Sequence, residues 1–335
     1  MKRFLFLLLF FALSASCRPG LPESDTSMEY ARWFDLKDSL LITRSPFDGQ
    51  ADTLPLKPVR RMVCMSTSYV GYLGAIGRQD VVCGVSGLGY VSDSAVRRRS
   101  VDVGYDAAMN YEAILALKPD LVVTYLVSGA RPPYLDKLRD LGVPVLIIHE
   151  HLEEHPLSRA EYVRLFGALT GERDRADSLF RAVRDRYLSL CVPPVPGRKV
   201  LLNIPYADQW YIPGADNYLS RLIRDAGGEV LGAVSGSAQS SVISLEEAFR
   251  LSSEADFWLH TGWCNTRAQL KSIHPLVKDF PVLLRSVYNN TLRRTPEGGN
   301  DFWESGAARP DLLLEDLRHI FDGDGQPLTY YQEVL

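Results

Sequence analysis

Beyond its first thirteen residues, the sequence of 335 residues contains no apolar run that approaches the roughly 20 residues a membrane-spanning helix needs. It has no excess of basic charge either. The 37 Lys and Arg stand against 41 Asp and Glu, giving a net charge of −4 with both signs interspersed. Arg97-Arg98-Arg99 is the only basic triplet and reads as a solvated loop, so no electrostatic footprint for nucleic acid is present. The five cysteines contain no Cys-x-x-Cys pair, which argues against a zinc-type cysteine site. Gly-x-x-x-x-Gly-Lys-Ser/Thr and Gly-x-Ser-x-Gly are both absent. Gly71, Gly74 and Gly77 recur at every third position instead of in a dinucleotide pattern, and read as small residues that pack a helix on a sheet.

What is present begins with an address. Lys2 and Arg3 precede an unbroken apolar run from Phe4 to Leu13, and Ser14-Ala15-Ser16 leads into Cys17. A basic start, a short apolar stretch and small residues make a secretory signal, here residues 1–17. The end of that stretch resembles a bacterial lipobox, although its Leu sits one place early, at Leu13, so ordinary cleavage is the alternative. The lipobox implies that Cys17 is acylated and that the exported chain is anchored to the bacterial membrane, facing the periplasm. The rest of the chain is long enough for two domains of ordinary size, and 46% hydrophobic residues fit real cores. Cys64 and Cys83 lie in apolar, strand-like stretches and read as small buried hydrophobes. The pairing of Cys64, Cys83, Cys191 and Cys264 is left open.

Residues 18–57 mix Pro, Ser and Asp with a Trp33-Phe34 patch and read as a tether and irregular leader. A strand–helix alternation then begins. Strands are expected at 61–65, 81–85, 121–125 and 143–148, with helices at 69–76, 112–117 and 134–141. Continuous apolar strand runs between helices imply a parallel sheet covered on both faces, here an N-terminal α/β lobe over 58–157. Ser158 to Leu169 reads as one amphipathic helix. A second, Glu172 to about Leu190, carries Ala176, Leu179, Phe180, Val183 and Tyr187 at helical spacing, and residues 158–191 form the connection. A second alternating block over 197–335 has expected strands at 200–204, 257–259 and 282–284 and helices at 218–226, 245–251 and 312–320. The fold class is therefore α/β: two lobes, each a parallel sheet flanked by helices, joined by one long backbone helix.

Several segments carry a family resemblance. They are Glu112-Ala-Ile-Leu-Ala-Leu-Lys-Pro-Asp-Leu-Val-Val123, Leu141-Gly-Val-Pro-Val145, Gly167-Ala-Leu-Thr-Gly171 with Ala176, and Asp225-Ala-Gly-Gly228. Trp303-Glu-Ser-Gly306, Arg309-Pro-Asp-Leu312 and the terminal Tyr330-Tyr331 complete the set. In this order they resemble the Fe/B12-type periplasmic substrate-binding proteins of ABC importers, in a Bacteroidetes-like lipoprotein branch, over roughly residues 58–335. The resemblance implies a monomeric, non-enzymatic binding protein with no cofactor or structural metal of its own. Its ligand would be a metal chelate held between the lobes and passed to an ABC permease–ATPase complex. A corrinoid is the first expectation, and a ferric siderophore or haem the alternative.

Ligands in open α/β sheets sit beyond the carboxyl ends of the strands. The loops there carry Tyr69, Tyr90, Tyr105 and Tyr125 in the first lobe. In the second they carry Tyr206, Trp210, Tyr211, Trp263, Tyr288 and Trp303. Aromatic rings suit a flat, largely apolar macrocycle; the competing reading is that they cap each lobe's core. Tyr90, Tyr105 and Tyr125 match aromatic ligand contacts of similar vitamin B12 binders, as does Trp210 or Tyr211. Ser240-Ser241 stands near where those proteins place a Trp. Glu112 and Glu246, one per lobe at a helix start, match the family's transporter-docking glutamates. Capping by Asn110 competes for the first, whereas Glu247 fills the box opened by Ser244 and leaves Glu246 free. Arg131, Arg267, Arg293 and Arg294 are the cations an anionic siderophore would need, and His260 is a candidate haem ligand at a strand end. From another class, His151-x-x-Glu154-His155 matches an inverted zinc-hydrolase pattern, but Pro156 follows at once and an exposed polar loop explains the residues as well.

Overall fold

Strands such as Met62–Cys64 and Leu121–Thr124 are buried at every position, which requires helices on both faces of their sheet. The computed structural model describes residues 28–105 and 108–335. The signal stretch, Cys17 and the tether up to residue 27 lie outside the described residues.

The segment read as an irregular leader is ordered from Phe34. Strands β1 (Phe34–Leu36), β2 (Leu40–Arg44) and β3 (Ala51–Pro55) form a three-stranded antiparallel sheet. The residues just before it are held by two buried carboxylates. Glu161 accepts the amides of Glu29, Tyr30 and Ala31 at 2.9, 2.7 and 2.8 Å, and Glu153 accepts that of Arg32 at 2.8 Å. These partners lie more than a hundred positions away, which is why the sequence read this stretch as loose.

The first lobe comprises β4 (Met62–Cys64), β5 (Val82–Val85), β6 (Val101–Asp102), β7 (Leu121–Thr124) and β8 (Val145–Ile147), all parallel in the order β6-β5-β4-β7-β8. Its helices are α1 (Thr67–Ala75), α2 (Ser94–Arg99), α3 (Tyr111–Leu117) and α4 (Pro133–Asp140). The strand order reverses at β4, so a crevice opens at the carboxyl ends there. The expected helix from Ser158 to Leu169 is two pieces, α5 (Pro156–Ala160) and α6 (Tyr162–Thr170), parted at Glu161, whose side chain is engaged by residues 29–31. Gly171 stops α6 with φ of +80°, a conformation open to Gly at little cost. The connecting helix α7 (Arg173–Leu190) buries Ala176, Phe180, Val183 and Tyr187 as a stripe, while Leu179 is only partly covered.

The second lobe follows with β9 (Lys199–Leu202), β10 (Gln209–Ile212), α8 (Tyr218–Asp225), β11 (Glu229–Val230), β12 (Ser241–Ser244) and α9 (Leu245–Glu254). It continues with β13 (Phe257–Leu259), α10 (Arg267–Ser272), β14 (Ser286–Asn289), α11 (Ser305–Ala308), α12 (Pro310–Asp322) and β15 (Gln332–Glu333). Its main sheet runs β11-β9-β13-β14-β15, parallel except for β15. The strand expected at Val282–Leu284 is a 3-10 turn opened by Pro281, and β14 begins two residues later at Ser286. Proline lacks the amide a central strand must donate, and its fixed φ suits a helical first turn. A separate antiparallel pair, β10 with β12, sets Trp210 opposite Ile243.

Cys64, Cys83, Cys191 and Cys264 are all unpaired. No helix among the described residues is long and apolar enough to cross a membrane.

Candidate functional site

The carboxyl ends of the two sheets face each other. The loop after β5 meets the segment after β14: a Cβ built on Gly299 would lie 2.3 Å from the Tyr90 carbonyl oxygen. Thr295 Oγ1 donates to the Gly89 carbonyl at 3.3 Å, and Arg97 pairs with Glu297 at 3.2 Å. Glu304, almost fully buried in the second lobe, accepts the amides of Ser92 and Asp93 in the first at 2.6 and 2.8 Å. Burial pushes its carboxyl up to about 7 despite those two bonds. The seam is tight enough that a Cβ on Gly71 of α1 would fall 2.0 Å from the Glu304 carbonyl oxygen.

Several of the expected aromatics are exposed at the strand ends. Tyr90 and Tyr105 are 51% and 53% exposed, and Trp263 and Trp303 52% and 41%. Tyr90 and Tyr105 close over Gly87, where a Cβ would sit 2.8 Å from the Tyr105 hydroxyl and 3.0 Å from Cδ2 of Tyr90. Burial and the Tyr90 hydroxyl raise the pKa of Tyr105 above the ordinary phenol value. Tyr125 directly follows β7 and meets His151 edge to face at 5.3 Å between centroids. In the second lobe Trp303 packs edge-on against Phe302 at 4.6 Å. The turn bearing Trp263 is fixed from below by Asn289, whose Nδ2 donates to the Gly262 and Cys264 carbonyls, both at 3.0 Å.

Two expected ligand residues are elsewhere. Tyr69 is fully enclosed on α1, with its ring 5.6 Å from that of Phe166. Trp210 is fully enclosed beside Trp258 and Phe280, and its indole nitrogen donates to the Leu202 carbonyl at 2.7 Å. Strand alternation on β10 decides between neighbours: Trp210 points inward and Tyr211 outward. Val127 and Leu292 are also apolar and exposed after β7 and β14, and as isolated aliphatic residues they carry no motif in the sequence. Asn289 and Gly87 were missed because their roles exist only through tertiary neighbours.

His260 is not available to a metal chelate. It is buried, its Nε2 lies 2.7 Å from the Tyr331 hydroxyl, and its Nδ1 faces Asn290 at 3.5 Å. Burial depresses its pKa to about 3, so it stays neutral. Three of the four arginines are already engaged, and Arg293 and Arg294 line one cavity wall. Arg131 pairs with Asp136 at 3.0 Å, Arg293 with Asp301 at 3.0 Å, and Arg267 donates to the Leu283 and Arg285 carbonyls.

The zinc-like cluster is dispersed. His151 Nε2 meets the Leu126 carbonyl at 3.0 Å, Glu154 pairs with Arg32 at 2.8 Å, and His155 Nδ1 accepts the Leu157 amide at 3.0 Å as a helix cap. No three His, Cys, Asp or Glu among the described residues are placed to share a metal ion.

Glu112 and Glu246 are exposed in the first turns of α3 and α9. Asn110 caps α3 by accepting the Ala113 amide at 2.9 Å. The expected box at α9 is incomplete: Ser244 accepts the Glu247 amide at 3.2 Å, but the Glu247 carboxylate turns to Arg250, gripping it at 2.8 and 2.9 Å. Arg250 lies one turn on and offers a two-pronged partner, which a lone amide cannot match. Glu246 is therefore not wholly free of capping. Its own amide and the Ser244 hydroxyl hold its carboxyl below the ordinary value.

Two α/β lobes joined by a helix, with opposed strand ends lined by aromatic rings, define a two-lobed solute-binding protein. The chain belongs to the periplasmic binding protein family, whose sequence profile matches residues 62–281. It is 25% identical over 285 residues to an uncharacterised lipoprotein of Methanocaldococcus jannaschii, covering 78% of this chain and 65% of that one. It is 26% identical over 220 residues to a cobalamin-binding protein of Halobacterium salinarum, covering 65% of this chain and 58% of that one. The chain thus spans less than two thirds of the length of either relative. Among solved structures, a periplasmic haem-binding protein of Pseudomonas aeruginosa shares the fold with a TM-score of 0.62 at 21% identity, covering 83% of this chain and 98% of that one.

Proposed function

We propose that this chain captures a corrinoid between its lobes and delivers it to an ABC permease–ATPase complex, tethered to the membrane through an acylated Cys17. The observation that carries the reading is the set of rings at opposed strand ends, the exposed Tyr90 and Tyr105 and the half-buried Tyr125 against the exposed Trp263 and Trp303. Stacked rings favour a broad, largely apolar macrocycle, each contact adding about 0.5–1.5 kcal/mol beyond burial. Several such contacts supply much of the roughly 8 kcal/mol that micromolar binding requires. An anionic siderophore would want charge-assisted bonds, and Arg131, Arg267 and Arg293 already make theirs elsewhere. The cobalamin-binding relative supports the same choice. Haem is the second reading, favoured by the Tyr125–His151 pair at the end of β7, where a phenol and an imidazole adjoin. The test is calorimetry against cyanocobalamin, cobinamide, haem and a set of ferric siderophores. Corrinoid binding tighter than any iron chelate is expected. Silence toward both corrinoids with a clear signal from an iron chelate removes the reading.

A further inference from the structure

A cavity of about 690 Å³ lies apart from the cleft aromatics. It lies on the flank of the lobe seam, where α1, α2 and α7 meet the second lobe, and none of Tyr90, Tyr105, Tyr125, Trp263 or Trp303 lines it. Its floor is small and apolar, built from Gly71, Gly74 and Ala75 of α1 and Leu179 of α7. Its walls carry both signs of charge, and the bonds already made decide what is left over. Asp93 is taken by the amides of Ala95 and Val96 at 2.8 and 2.9 Å. Asp301 is taken by Arg293 and, at 2.8 Å, by the Ser305 hydroxyl. Glu304 is taken by the seam amides. Every acidic wall residue is thus committed. Among the cations, Arg309 grips Asp311 and Arg97 pairs with Glu297, whereas Arg294 has no ion-pair partner among the described residues. Gln79 Oε1 and Ser92 Oγ, on two further wall residues, also have no hydrogen-bond partner.

We infer that this flank cavity is a second binding site, separate from the cleft, for a small organic anion: a carboxylate or phosphate on a short apolar body. The anionic head faces Arg294, whose planar fork matches two oxygens at once, and the body rests on the glycine floor. The volume falls within the 300–1,000 Å³ or so of ordinary small-molecule sites. The inference stands whether or not the cleft holds a corrinoid.

Two variants of the full chain test it, with benzoate and phenyl phosphate as probes in titration calorimetry. Arg294→Gln removes the uncommitted cation. Gly74→Leu projects into the floor, where a Cβ meets nothing within 4 Å, and an unchanged urea midpoint checks that the variant is folded. The wild-type chain is expected to bind at least one probe saturably at one site, and each variant to bind it at least tenfold more weakly. Absence of saturable binding to the wild type, or a loss smaller than tenfold in either variant, overturns the proposal.

Discussion

Tyr105 is half exposed at a strand end, and Trp210 is sealed in a core, so truncation of each should be felt in a different measurement. Tyr105→Ala and Tyr125→Ala are expected to weaken corrinoid binding by about 1–3 kcal/mol each while leaving the urea midpoint nearly unchanged. Trp210→Ala is expected to cost about 3–5 kcal/mol of stability, because it opens a cavity beside Trp258 and Phe280 and strands the Leu202 carbonyl. Reversal of that pattern in paired calorimetry and urea titrations would contradict the placement of these rings. Glu304 makes a pH prediction. Its folded pKa of about 7 exceeds the ordinary 4.5, so between those values the folded chain holds a proton that the unfolded chain has released. Stability therefore falls as pH rises through that window, and Glu153, also raised to about 7, adds a contribution of the same sign. Glu304→Gln cannot titrate and should flatten the fall by about 1–3 kcal/mol between pH 5 and 7.5 in urea midpoints. At this scale the sequence named residue types but could not fix their depth. Adjacent positions such as Trp210 and Tyr211 point to opposite sides of a strand, and which side is wet depends on what packs there.

The helices α3 and α9 each present a glutamate in their first turn, where the helix dipole favours negative charge. Asn110 already caps α3, and Glu247 on α9 is held by Arg250, so neither exposed carboxylate carries its helix alone. Replacing both Glu112 and Glu246 with Ala is expected to leave ligand affinity and folding intact and to abolish uptake by the permease, since charge pairs at a docking face set orientation and encounter rate. Unimpaired transport by the double variant would remove the docking role, and unfolding of either single variant would assign the residue to capping. Elements of six or more residues with a clear apolar stripe, such as α7 and α12, were legible from periodicity alone. The strands β1, β2, β3, β10 and β12 were not. Each is five residues or fewer, and what makes them strands is pairing with partners that local pattern does not specify.

Two features tie the lobes together. One is α7, 18 residues and so roughly 27 Å of rod, which bends only by breaking consecutive backbone bonds. The other is the seam of Glu304, Thr295 and the Gly71 and Gly299 approaches, which the sequence did not reveal. Small-angle scattering profiles with and without ligand are expected to nearly superimpose; a marked compaction on binding would show that the seam opens. By itself the sequence determined the two-lobed α/β architecture, the long connector and the family. Those follow from hydrophobic periodicity and from ordered local motifs, information carried by neighbours a few positions apart. Only the tertiary structure decided that the leader is a sheet clamped by Glu153 and Glu161, that Trp210 and His260 are core residues, and that Arg131 and Arg267 are engaged away from Arg293 and Arg294. It also decided that a cavity of about 690 Å³ lies on the flank of the seam. Each of these depends on contacts between residues tens to hundreds of positions apart, where burial and hydrogen-bond satisfaction, not local propensity, set the outcome.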